Sequence, residues 1–317
     1  AIKHTLELMK RRGPDAKNFY QISNGSKELA LLHTRLNIID LNKRSDQPYF
    51  DEHFVMVFNG EIYNYLEIKA KLEKKNYKFK TNSDTEVLLK SFQEYGEKCV
   101  DHFIGMWAFA IWDVKKKKLF LSRDPFGEKP LYYFLNDDGF FFGSEIKFIK
   151  ALCRRKFEIN KSQINKNLFL GYKSLNKSND TFYKNIASVE SSSNLLIDLD
   201  LNLNKKKYWQ PKLNIDHNMK IIDAVDGVKD NLIRSLELRM RSDVPIAFCL
   251  SGGIDSSLLA SHAKKTFNKK ISTFSIIDKD PRYDESENIK HIINDLNCNY
   301  ELIRINNDEN LFFDRLK

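Results

Sequence analysis

The sharpest chemistry in this 317-residue sequence sits at Ser251-Gly252-Gly253-Ile254-Asp255-Ser256-Ser257. A short apolar run, Ile246–Leu250, precedes it, and a helix-like segment, Ser256–Lys265, follows. A buried strand turning into a helix presents free backbone N–H groups and the positive end of the helix dipole, which together favour an anion. The two glycines let the backbone approach a phosphate closely, and the serine hydroxyls add donors. Asp255 is wrong for phosphate alone and implies a metal, most simply Mg²⁺ bridging phosphate oxygens. An isolated Ser-Gly-Gly would be a capped turn; the flanking strand and helix and Asp255 favour nucleotide binding. A second candidate is Asn59-Gly60, after the apolar run Phe54–Phe58. Alone it reads as a hairpin turn, but Glu61-Ile62-Tyr63-Asn64 does not continue as a returning strand.

These groups need two scaffolds, and the length agrees, since single cores stop growing near roughly 250–300 residues. The first half mixes a helix at Ile2, Leu6 and Met9, strands at Leu29–Leu32, Phe54–Phe58, Trp107–Trp112, Leu119–Leu121, Leu131–Phe134 and Phe140–Phe142, and helices near Tyr63–Lys74 and Asp84–Tyr95. That mixture predicts an α+β layered domain. Residues Asn160 to Asp180 read as a polar surface excursion. The alternation Ile197, Leu199, Leu201, Leu203 predicts one half-buried closing strand, and Asn214 to Asn218 a linker. In the second half, Ile221, Val225, Val228, Leu232, Leu236 and Met240 form one helix stripe. Alternating segments then follow at Ile271–Ile277, Asp284–Leu296 and Tyr300–Ile303, predicting a parallel sheet. The domains are expected over residues 1–210 and 219–317.

Composition is that of a globular protein, 42% hydrophobic and 30% charged, without the roughly 18-residue apolar run a membrane span needs. The net charge of +9 is spread over scattered lysines such as Lys115 to Lys118 and Lys205 to Lys207, so neither nucleic acid nor membrane is an expected partner. Cys99, Cys153, Cys249 and Cys298 share no metal spacing and fit reduced thiols in a cytoplasm.

The Ser251–Ser257 loop resembles the PP-loop of N-type ATP pyrophosphatases, SGGxDS, and no GKS or GKT is present. The resemblance implies ATP cleavage to AMP and pyrophosphate, with an adenylated acid between. Leu250 and Ile276 match the positions whose backbone holds adenine in that family. Tyr283-Asp284-Glu285 matches a family pattern as well, where helix capping is as good a reading as catalysis.

Arg12-Gly13-Pro14-Asp15, His33 to Asp40, Asn59-Gly60-Glu61-Ile62-Tyr63-Asn64, Arg123 to Tyr133 and Gly143-Ser144-Glu145-Ile146-Lys147 together resemble the glutaminase domain of class II amidotransferases, specifically of asparagine synthetases. The implied fold is an α+β Ntn-hydrolase-type αββα sandwich followed by an incomplete α/β parallel-sheet PP-loop domain of the adenine nucleotide alpha hydrolase-like kind. Asn59 and Gly60 would form the oxyanion hole. Arg35 would hold the α-carboxylate of glutamine and Asp84 its ammonium, with Glu61 beside it. Leu36, Asn37, Ile38 and Ile39 would add backbone contacts. ATP would lie on Leu250, Ser251, Gly252, Gly253, Asp255, Ser256, Ser257 and Ile276, with Mg²⁺ on Asp255. Arg123-Asp124 and Lys129-Pro130 would shape the domain.

Class II enzymes use an N-terminal cysteine as nucleophile, whereas residue 1 here is Ala. Either the sequence lacks the first strand or the domain has lost glutaminase activity, as in β-lactam-forming members. Truncation is favoured, because the first helix runs straight into Arg12-Gly13-Pro14-Asp15. The end at Lys317, just after Leu311-Phe312-Phe313, is equally abrupt. The stretch by itself is therefore expected to run neither half-reaction. The implied partners are glutamine, aspartate and ATP, and a homodimer is compatible with the family. Two alternatives stay open: a sister ligase amidating another acid, such as a sugar uronate, and a non-enzymatic glutamine- or ATP-sensing module.

Overall fold

The computed structural model describes residues 1–25, 27–172, 178–278 and 280–304. The chain divides into two compact units at Asn214/Ile215. The first holds α1 (Ile2–Met9), β1 (Ala16–Asn24), β2 (Lys27–Arg35), β3 (Tyr49–Phe50), β4 (Phe54–Ile62), α2 (Tyr65–Glu73), α3 (Asp84–Tyr95), β5 (Gly105–Asp113), β6 (Lys118–Arg123), β7 (Tyr132–Asn136), β8 (Gly139–Gly143), α4 (Ile146–Cys153), α5 (Lys161–Leu170), β9 (Ile186–Ser188), β10 (Ser193–Asp198) and β11 (Leu203–Lys207). The second holds α6 (Ile221–Arg239), β12 (Ala247–Cys249), α7 (Ile254–Ser261), β13 (Ser272–Ile277), α8 (Ser286–Leu296) and β14 (Asn299–Arg304).

An antiparallel sheet in the order β11-β10-β6-β5-β4-β3 is the spine of the first unit. Successive strand residues face opposite sides, and β4 and β5 are covered on both. Met56, Phe58, Trp107, Phe109 and Ile111 pack with Ile68, Leu72 and Val87 to Leu89 of α2 and α3. Val55, Val57, Ala108, Ala110 and Trp112 pack the other way, with Leu31 and Leu131. Double coverage explains why both strands read as unbroken apolar runs. The second sheet layer comes in two pieces, β1-β2 and β8-β7-β9. Helix α4 covers the latter through Ile149, against Phe134 and Ile186, and α1 packs beside α4 and β2. Helices, sheet, sheet, helices is the αββα sandwich.

Strands β2 and β8 are each paired on one side only, and both border one cavity of about 980 Å³. Residues 27–30 and 32–35 of β2 and 139–143 of β8 line it consecutively. Neighbouring residues point opposite ways, so consecutive lining means that each strand offers the cavity its edge, not a face. The floor is apolar, with Val57, Ala108, Ala110 and Ile197. The slot lies between two open sheet edges.

In the second unit β12, β13 and β14 are parallel neighbours in that order. Leu236, Met240, Leu250, Ala260, Ile277, Ile289 and Ile293 make one core. Thr273, Ser275 and Ile277 face it, whereas Phe274 and Ile276 on the opposite face are exposed. No helix among the described residues is long and apolar enough to cross a membrane.

Three expectations need correction, and a few elements had none. The predicted strand through Ile197 and Leu203 is two strands, β10 and β11, paired antiparallel. Asp198 Oδ1 accepts the N–H groups of Asp200 and Asn202 (2.9 and 3.0 Å), and Leu201 takes φ +63°, so the chain reverses in mid-alternation. The excursion at 160–180 contains α5, capped by Asn160 accepting from Gln163 N; residues 173–177 lie outside the described residues, as do 311–313. The α6 stripe is covered only at Leu236 and Met240, while Ile221, Val225 and Val228 are exposed. A 19-residue helix is about 28 Å long and outruns strands of about 20 Å. Finally, β1, β3, β9 and α4 carry no prior expectation.

Candidate active site

Asn59-Gly60 is no hairpin turn. β4 runs on through Ile62, with Asn59 opposite Ala108 and Gly60 opposite Trp107 of β5. Glycine is required at 60 because a Cβ there would stand 2.1 Å from the Met106 carbonyl oxygen. The preceding peptide is clamped on both sides. Gln47 Nε2 donates to the Phe58 carbonyl (3.1 Å), and Phe58 N–H donates to Gln47 Oε1 (2.6 Å). His33 Nε2 sits 3.0 Å from the same carbonyl. Burial pushes that imidazole down to about 4, so near neutrality the ring is uncharged and Nε2–H is the donor. The Asn59 amide Nδ2 donates to Ser144 Oγ at 3.1 Å. Asn59, Gly60, Glu61, Arg35 and Asp84 all line the slot cavity, and Leu36, Ile38 and Ile39 join them.

Arg35 is buried and engaged. Its Nη1 donates to Asp46 Oδ1 (2.9 Å) and to the Asn42 carbonyl (3.0 Å); its Nη2 donates to the carbonyls of Ile39 (3.1 Å) and Asp40 (2.5 Å). The guanidinium thus organises the 36–46 loop, and Arg35 is at the same time a residue of the cavity wall. Asp40 Oδ2 accepts Asn82 N–H (2.8 Å), which joins that loop to the start of α3, where Asp84 sits. Asn37 turns its backbone N–H to Asp15 Oδ2 (2.8 Å) and is not among the cavity-lining residues. The sharing of Arg35 was invisible in sequence, because Asp46 is an unremarkable acid in a polar loop.

Asp84 opens α3 but does not cap it: the cap is Ser83, whose side chain accepts Thr85 N–H (3.2 Å). Asp84 Oδ2 instead takes Ile62 N–H (3.0 Å), tying α3 to the end of β4. Burial pushes the Asp84 carboxyl up to about 6. Burial and the neighbouring Asp84 push Glu61 up to about 7, opposed by the Lys129 ammonium. Arg123 and Asp124 hold the Lys129 backbone in place: Arg123 Nε donates to its carbonyl (2.8 Å), and Asp124 Oδ2 accepts its N–H (2.9 Å). Lys129 also lines the cavity, a position the sequence reading gave only to domain shaping. Two carboxyls with raised values lower the cost of protonation, so their contribution to stability is complete below about pH 4 and is lost as pH rises through 6 and 7. The urea midpoint is therefore expected to fall between pH 5 and pH 8. Glu61→Gln should flatten that fall by about 1–2 kcal/mol, a figure discounted for partial exposure. An unchanged slope in the variant would sink this assignment.

In the second unit Leu250 continues β12, its N–H donating to the Phe274 carbonyl (2.8 Å), and is buried. The loop then turns at Gly252, whose φ of +82° suits glycine; a Cβ there would crowd Glu285 Cβ at 3.2 Å. Its hydroxyls are spent inside the loop. Ser257 Oγ donates to the Gly253 carbonyl (2.6 Å), and Ser256 Oγ accepts Ser251 N–H (3.2 Å). What faces outward is the first turn of α7, whose N–H groups have no intrahelical acceptor. Asp255 stands exposed in that turn, and nothing among the described residues bonds to its carboxylate. No three His, Cys, Asp or Glu residues cluster there or elsewhere among the described residues. One exposed carboxylate beside anion-seeking amides fits a hard cation that takes its remaining ligands from phosphate and water. Asp284 accepts Ser286 N–H (2.9 Å) in the turn leading into α8, whose cap residue Glu285 makes no side-chain cap bond.

Residues 1–209 match the glutamine amidotransferase domain family, and residues 227–312 match the asparagine synthase family. The chain belongs to the asparagine synthetase-like glutamine amidotransferases. It is 37% identical over 313 residues to a Methanocaldococcus jannaschii protein provisionally named asparagine synthetase (glutamine-hydrolysing) 2, covering 92% of this chain and 59% of that one. To Bacillus subtilis asparagine synthetase (glutamine-hydrolysing) 1 it is 36% identical over 282 residues, covering 87% and 42%. The Gibberella zeae amidase chry2 is 30% identical over 290 residues, covering 87% and 41%. The chain thus spans about half the length of the curated relatives it matches.

Proposed function

We propose that the protein makes asparagine from aspartate, with glutamine as nitrogen donor and ATP as the source of drive. Aspartate, ATP, glutamine and water give asparagine, AMP, pyrophosphate and glutamate. The observation that carries this reading is the conjunction of the Arg35, Asn59, Gly60, Glu61 and Asp84 cavity in one unit with the Ser251–Ser257 loop in the other. In the first unit glutamine's ammonium neutralises Glu61 and Asp84, and its α-carboxylate faces the Arg35 side of the cavity. Attack on the side-chain amide by a cysteine thiolate, carried on a strand filling the slot between β2 and β8, creates an oxyanion that the Asn59 amide and Gly60 stabilise. Ammonia is released and glutamate follows by hydrolysis. In the second unit ATP lies with adenine against Leu250 and Ile276 and its phosphates on the amides of 251–257. The aspartate side-chain carboxylate attacks the α-phosphate, pyrophosphate leaves, and ammonia displaces AMP from the adenylate. Mg²⁺, when bound by Asp255 and the phosphates, offsets charge on the departing pyrophosphate.

The amidase-named relative favours a second reading, the same chemistry on a different acid. The full-length protein is tested by incubating it with glutamine, ATP and a panel of acids that includes aspartate and a sugar uronate. Equal amounts of glutamate, AMP, pyrophosphate and asparagine are expected. Turnover with another acid alone moves the protein to the second reading. ADP and phosphate in place of AMP would end both.

A further inference from the structure

Two stretches singled out in the sequence, Arg12-Gly13-Pro14-Asp15 and Gly143-Ser144-Glu145, take no part in the chemistry above, yet Arg12, Gly143 and Ser144 border the same cavity as Asn59. We propose that Ser144 is a positioning residue for the Asn59 amide, fixing the plane in which that amide offers its second N–H to the cavity. The proposal rests on the glutaminase reading of this site.

A primary amide has two N–H groups in one plane. Asn59 Nδ2 donates to Ser144 Oγ at 3.1 Å, so one is committed and the direction of the other follows. Among the described residues Ser144 is the sole side-chain partner of that amide. Without it the amide rotates about a terminal torsion that is broad and roughly two-fold. Half of that range turns the carbonyl oxygen toward the developing oxyanion, which repels it. An aimed donor is worth much more than a mobile one, because aiming it costs nothing at the moment of reaction.

The chain next to Ser144 is tied to other elements. Ser144 lies between the end of β8 and the start of α4, and the next residue, Glu145, is bridged by Arg12 Nη1 (3.2 Å) and Lys147 Nζ (2.7 Å). The Arg12 turn is stapled in turn to the end of β2. Asp15 N–H donates to the Arg35 carbonyl (3.0 Å), and Thr34 Oγ1 donates to the Met9 carbonyl (3.1 Å). Residues far apart in sequence, with no reacting atom among them, thereby set the angle of one amide.

The test uses the full-length protein with Ser144→Ala and Ser144→Thr. Its readouts are kcat and KM for glutamate release, and affinities for glutamate and for glutamate γ-semialdehyde. That aldehyde takes up the thiolate as a tetrahedral adduct, whose oxygen occupies the oxyanion position. Ser144→Ala is expected to lower kcat about tenfold, less than outright loss of a donor, and to weaken aldehyde binding in parallel. KM and glutamate affinity should stay within about twofold, and Ser144→Thr should restore kcat. An alanine variant with normal kcat overturns the proposal. So does equal weakening of aldehyde and glutamate, which would make Ser144 a purely structural support. Wild-type protein that releases no glutamate overturns the glutaminase reading and the proposal with it.

Discussion

Asp255→Asn in the full-length protein is expected to lower pyrophosphate release about a thousandfold, the loss of several kcal/mol of transition-state stabilisation. Asn keeps the volume of the side chain and suits the first turn of α7, so the loop geometry survives. The internal bonds of the loop run through Ser251, Ser256, Ser257 and Gly253, not Asp255. What disappears is a single exposed negative charge beside the anion site. Glutamate release, which the proposed function assigns to the other unit, should remain within a fewfold of normal. Measuring both products on one preparation separates the outcomes: parallel loss means misfolding, and undiminished pyrophosphate removes Asp255 from the chemistry.

Asn59→Ala should cost glutamate release a factor of about 100–1,000 in kcat with little change in KM. The β4–β5 ladder passes through the backbone of Asn59, opposite Ala108, and needs nothing from its side chain. The peptide before it stays clamped by Gln47 and His33. The variant therefore removes an amide and little else, which a thermal midpoint within a few degrees of wild type would check. A loss under about fivefold would leave Gly60 or another donor to carry the oxyanion.

The extent of α3 was legible from its apolar spacing between the polar 82–83 stretch and Gly96. Strands β4 and β5 were legible as buried runs. β1 was not: its residues Ala16–Asn24 alternate weakly, and Phe19 and Ile22 stay exposed on a two-stranded ribbon. The β10–β11 reversal was hidden because leucines keep alternating through the turn, and only the conformation at Leu201 breaks the pattern. In the site, the identities of Arg35, Asn59, Asp84 and Asp255 stood out through motif and chemistry. Their environments did not. That Arg35 is shared with Asp46, that Ser83 and not Asp84 caps α3, that the loop serines bond to one another, and that Ser144 reaches Asn59 across 85 positions depend on which loops meet. Pairwise proximity of that kind has no local signature. Cys99 shows the same limit from the other side: a free thiol in sequence, it is fully buried and its acidity suppressed, unsuited to nucleophilic work.

The slot between β2 and β8 has a bearing on how the protein behaves in a test tube. Two facing rows of unpaired backbone donors and acceptors above an apolar floor form a template for any extended chain. When a strand fills the slot, the two half-sheets fuse into one and neither edge is available. When none does, two open strand edges remain, of the kind that pairs with strands of other molecules, and light scattering against concentration measures that tendency.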